Sequence, residues 1–207
     1  MAAHATARTT RTVSTFGAWS LRVLAMSAAF LVSSPLHATS LALTPEQRDG
    51  AIEMGKRSIL SDQFGSEWTV RGEGAGETLQ VITPFHRLAL AARNSAFKGQ
   101  ELKQTDVDAL VKEQEGVLTL WATLKGAKAD FARFYTPVLV AGGQDIKASF
   151  VQNERTARRE NDGSYTARCV YVFPAAGLTP GSAVTLIVKD SDNKQVAKFT
   201  VDLSTMR

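Results

Sequence analysis

The sequence predicts an α+β protein: N-terminal helices and a short hairpin, followed by an antiparallel β-sandwich. Three observations carry this. Helix-start signals recur in the first half of the chain, at Thr44-Pro45, Thr83-Pro84 and Thr105. From Val117 onward the apolar period changes to two. The connectors in that second half are polar and turn-forming, as in "KGAK", "AGGQ", "ENDGS", "AAGLTPGS" and "DSDNK".

The first 38 residues read as a leader rather than as part of the fold. Arg8, Arg11 and Arg22 are its only charged residues, and "VLAMSAAFLV" (23–32) is an apolar core of ten. Small residues follow, up to Ala38. This is the layout of a secretory signal peptide. The apolar run falls short of the roughly 20 residues a membrane span needs. Cleavage is expected after Ala38, with Ala42 as the second choice, which leaves no transmembrane span and places the protein in the periplasm or cell exterior. Residues 39–116 then form the helical region with its hairpin, and 117–207 the sandwich.

The leader also accounts for most of the net positive charge. It holds three of the 24 Lys and Arg residues and none of the 20 acidic ones, which leaves 21 against 20. A nucleic-acid partner argued from basicity loses its support.

Residues 44–62 open as a capped amphipathic helix. Thr44 caps, Pro45 sits first, and Gln47 completes a capping box; Ala51, Ile52, Gly55, Ile59 and Leu60 form its apolar face. "EWTVR" and "ETLQVIT" read as two strands around the turn "GEGAG". The second helix spans 83–97, capped by Thr83 and stopped at Gly99. Its stripe of Phe85, Leu88, Ala89, Ala92 and Ala96 is set to pack on the sheet, with His86 and Arg87 off that stripe and Arg93 towards the polar side. A third helix starts with Thr105 as cap and ends at Gly116. Six strand candidates follow, including "ADFARFYTPVLVA" and "DIKASFVQNE". The closing pair, "SAVTLIVKDSDNKQVAKFTVDLS", resembles the last hairpin of immunoglobulin-like sandwiches in secreted bacterial proteins, which implies a sandwich of that kind.

Several chemistries lack their parts. His86 is the one histidine after residue 38 and Cys169 the one cysteine of the chain. A zinc site cannot be assembled from that set, no internal disulfide can form, and no G-x-S-x-G surrounds a serine. Gly72, Gly74 and Gly76 precede a strand rather than a helix and alternate with Glu73, Ala75 and Glu77, which suits a hairpin tip and not a phosphate cradle. No cofactor or metal is expected, and no catalytic residue is assigned.

Two clusters remain as candidate sites. His86, Arg87 and Arg93 could meet an acidic ligand at the start of helix 83–97. Arg155, Arg158 and Arg159 could be offered to an acidic partner on an exposed hairpin. The expected function is an exported, soluble, non-catalytic binding or interaction module, taking a protein partner or small ligand in the cell envelope. The alternatives are a small-ligand carrier, with its site between helix 83–97 and the sheet, and a carboxylate-based hydrolase.

Overall fold

A computed structural model describes residues 41–207, so the expected leader and its cleavage at Ala38 lie outside the described residues. Helix α1 (Pro45–Arg57) has the full capping box, with Thr44 Oγ1 accepting from Gln47 N and Gln47 Oε1 accepting from Thr44 N. It stops at Arg57, earlier than the periodicity suggests. Leu60 therefore falls in a turn beyond the helix and is 92% exposed, not part of the apolar face.

A short 3-10 turn (Ser66–Trp68) leads into strand β1 (Thr69–Arg71), which pairs with β2 (Thr78–Ile82). Trp68, expected on a strand, is fully buried in that turn. Helix α2 (Pro84–Phe97) has the expected bounds, with Thr83 Oγ1 accepting from His86 N at 3.1 Å. Its C-terminus closes at Gly99 (φ 66°), where Gln100 N donates to Ser95 O. Helix α3 spans Gln104–Glu113. Thr105 lies inside it rather than capping it, and the cap position, Lys103, has no side-chain hydrogen bond.

The alanine stripe of α2 meets α1, not the sheet. A Cβ on Gly55 would lie 2.2 Å from Ala89 O and 2.8 Å from Ala92 Cβ, so the backbones approach at a distance only glycine permits. Ala51, Trp68, Phe85, Leu88, Ala89 and Val107 form this small helical core. No described helix is long and apolar enough to cross a membrane.

The remaining strands are β3 (Val117–Gly126), β4 (Thr136–Ala141), β5 (Gln144–Lys147), β6 (Phe150–Asn153), β7 (Arg158–Arg159), β8 (Tyr165–Pro174), β9 (Ala183–Lys189) and β10 (Gln195–Asp202). One antiparallel sheet runs β1-β2-β3-β8-β6, with β7 also on β8; the other runs β10-β9-β4-β5. The N-terminal hairpin is thus an extension of the first sheet. Counting from β2, the two sheets have the A-B-E-D and G-F-C-C′ orders of an immunoglobulin-like sandwich. Leu79, Leu118, Leu120, Tyr171 and Phe173 of one sheet pack on Leu139, Leu186, Val188 and Phe199 of the other.

Two expected strands are broken. Residues 129–134 are turns, in which Phe131 lies against Gly126 and packs edge-on to Tyr135. "DIKASFVQNE" divides into β5 and β6, which belong to different sheets. Alternation persists through a change of sheet, so periodicity alone does not reveal it.

Candidate functional site

The first expected cluster does not converge. His86 is fully buried, its ring stacked on Trp68 with centroids 4.2 Å apart. Its Nδ1 lies 3.0 Å from Val81 O, so Nδ1 carries the proton and Nε2 faces the interior without a hydrogen-bond partner. Burial holds the imidazole below its ordinary pKa, with the Val81 carbonyl and Glu67 opposing that shift. Arg87 instead reaches Glu113 of α3 at 3.4 Å. Arg93 donates to the carbonyls of Ser58, Ile59 and Ser61 at 3.0–3.3 Å and covers the Phe64 ring. It caps the end of α1, answering the orphan carbonyls there.

The start of α2 is met from within the chain. The main-chain oxygen of Arg207 accepts from Trp68 Nε1 at 2.8 Å and from the Thr83 hydroxyl. The Arg207 guanidinium pairs with Glu67 at 2.8 Å and lies over Phe85. Beside this junction is a cleft of about 270 Å³, lined by Leu41, Leu43, Pro84, Phe85, Leu203 and Met206 among others. It is the place a carrier's ligand would occupy, and it is at the small end for a ligand pocket.

The glycine loop between β1 and β2 encloses a carboxylate. A Cβ on Gly74 would lie 2.6 Å from Glu77 Oε2. Glu77 is buried and its carboxyl is pushed up by desolvation, with N–H groups of Gly74 and Lys125 opposing. The loop also holds β10 through Glu73 and Lys198, 3.0 Å apart. Cys169 is a buried free thiol raised by desolvation. Among the described residues, no group of three or more His, Cys, Asp or Glu is placed to hold a metal.

The second expected cluster is exposed as anticipated in position. Arg155, Arg158 and Arg159 are all exposed. Arg158 pairs with Glu160 at 2.9 Å and sits opposite Thr166 of β8. That pairing puts Arg158 on the outer face of the first sheet.

This outer face gathers residues that lie far apart in the sequence. Inward positions of β3 are Leu118, Leu120, Ala122 and Leu124; those of β8 are Ala167, Cys169, Tyr171 and Phe173. The opposite phase turns Trp121 and Arg168 outward. Register then places Thr69, Gln80, Trp121, Val170 and Gln152 in one row across five strands. A second row holds Arg71, Thr78, Thr123 and Arg168. Where α2 and α3 join the sheet, Ile82 and Thr119 of this face are buried. Beyond them the face is open, with Trp121 37% and Phe150 50% exposed. A trough of about 510 Å³ runs over Thr69, Gln80, Trp121, Thr123, Arg168 and Val170. The signal was present in "VLTLWATL": the phase that puts four bulky or small apolar residues inside leaves the tryptophan outside.

No family model matches the chain, and no curated protein matches it. A solved IgNAR antibody domain C1 is similar over 42% of this chain and 76% of its own length, at 11% identity and a TM-score of 0.29. A likeness that slight carries no argument; the strand order above is what places the fold.

Proposed function

We propose that the chain is an exported, non-catalytic binding module of the periplasm or cell exterior, and that it binds with the outer face of the β1-β2-β3-β8-β6 sheet. One observation carries the reading. Only the Ile82 and Thr119 end of that face is buried, and the rest presents Trp121, Phe150, amide and hydroxyl side chains and the exposed Arg71, Arg158 and Arg168 to solvent. Large aromatics among polar groups on a sheet face supply contact area at little entropic cost, as recognition surfaces do. The leader layout of residues 1–38 supports export. Arg158 borders the same face, which brings one of the expected partner-binding residues into the surface.

The test is hydroxyl-radical footprinting of the protein purified from its host's envelope, free and mixed with that envelope fraction. Protection centred on Trp121, Phe150 and Val170 is expected, with an intact mass reduced by the leader. Protection confined to the Leu41–Phe85–Met206 cleft would favour the carrier reading instead. An unchanged footprint would overturn binding by this face, and a retained leader would overturn the processed, exported form.

A further inference from the structure

The outer sheet face has a chemistry that selects among ligands. We infer that it binds an anionic glycan, with sugar rings on Trp121 and acidic groups on Arg71 and Arg168; this deepens the binding-face reading and rests on it.

Three features of the trough and the strand row beside it point there. First, its one large apolar surface is the exposed Trp121 indole, flanked by Val170 directly across the strand pair. A pyranose presents apolar C–H groups on its ring faces and hydroxyls around its rim, so it needs a flat apolar surface bordered by polar groups. Second, the border is made of such groups. Gln80 lies directly opposite Trp121, and Thr78 opposite Thr123. Amide and hydroxyl side chains both donate and accept, which matches hydroxyl rims. A protein-binding core would instead be apolar across most of its area, with polar residues at the rim.

Third, two guanidinium groups of the face, those of the exposed Arg71 and Arg168, stand outside any ion pair among the described residues. They stand at the two ends of the Arg71–Thr78–Thr123–Arg168 row, three strand spacings or roughly 14 Å apart. Of the acidic groups nearby, Glu160 and Asp162 are in ion pairs, while Glu154 keeps its charge beside the Arg168 main chain. Glu154 accepts from the main-chain N–H of Arg168 at 2.7 Å, Glu160 is paired with Arg158, and Asp162 lies 3.9 Å from Lys125 Nζ. Two free guanidinium groups on either side of hydroxyl-bearing strands can each take a carboxylate or sulfate in bidentate fashion. Their spacing suits successive charges along a chain better than one small anion.

The experiment is isothermal titration of the full protein with four probes: an oligogalacturonate, a sulfated oligosaccharide, a neutral cello-oligosaccharide and a polyglutamate peptide. Trp121→Ala, Arg71→Gln and Arg168→Gln are titrated alongside. Binding of an anionic oligosaccharide is expected, weakening with salt, abolished in Trp121→Ala, and reduced about tenfold in each arginine variant. Uronate against sulfate then names the acidic group. Equal binding of the neutral oligosaccharide would overturn the anionic assignment while leaving the face in use. Equal binding of polyglutamate would overturn the glycan. Binding of none of the four would overturn the ligand class, and the footprint would then decide separately whether the face binds at all. Both arginine variants alter exposed side chains, so they remain informative if Trp121→Ala fails to fold.

Discussion

The sandwich core and the helical core of this chain are held in different ways. Between the sheets, Leu79, Leu118, Leu120, Leu139, Leu186, Val188, Tyr171, Phe173 and Phe199 share the packing across many strand pairs. In the helical layer a few residues each carry several of the contacts that join the elements. Gly55 lets α1 touch α2, Trp68 both stacks on His86 and donates to Arg207 O, and Arg93 closes the end of α1. A distributed core tolerates exchange of one apolar residue for another, because total volume is nearly conserved. A core joined through a few such residues does not.

The largest expected effect tests that contrast directly. Trp68→Ala removes a fully buried indole, unstacks the His86 ring and takes from Arg207 O one of its two donors, so a loss of about 3–5 kcal/mol is expected. Leu186→Met in the sandwich should cost less than about 1.5 kcal/mol. Urea unfolding of both variants measures the difference, and similar losses would erase the distinction between the two cores.

A pH series sharpens it. His86 has its pKa lowered by burial, so the unfolded chain binds its proton more readily than the fold does. Stability is complete above the ordinary imidazole value of about 6.5 and declines as pH falls below it, until the folded-state pKa is reached. Subtracting the curve of His86→Gln isolates this contribution from the carboxylates that titrate lower. A difference curve flat between pH 7 and 5 would show that the imidazole is not held neutral by its burial.

The smallest expected effect has the opposite sign and lies in the sandwich. Glu77 has its pKa raised by desolvation, so the protein loses stability as pH rises from the ordinary carboxyl value through the raised one. Glu77→Gln should therefore raise the melting temperature slightly at neutral pH, with the gain vanishing near pH 4. A lower melting temperature at neutral pH would mean that the N–H groups of Gly74 and Lys125 outweigh the desolvation.

Local grammar was legible in this sequence, and it concerns backbone and period. Thr83-Pro84 and Gly99 mark the ends of α2 because cap and stop chemistry act within a few residues. The alternation of β3, β8, β9 and β10 is read directly, since side chains in a strand must alternate faces. Strand order, the division of "DIKASFVQNE" between two sheets, and the burial of His86 were decided by tertiary contacts. His86 is the plainest case. It lies beside the apolar stripe by helix phase, yet Trp68 and Val81 arrive from other elements to cover it. The candidate site divides along the same line. The phase of Trp121 could be read from its own strand, but its company with Gln80, Thr78, Arg71 and Arg168 exists only through pairing across β1, β2, β3 and β8. Register between strands distant in sequence is set by the whole core, which no short segment encodes.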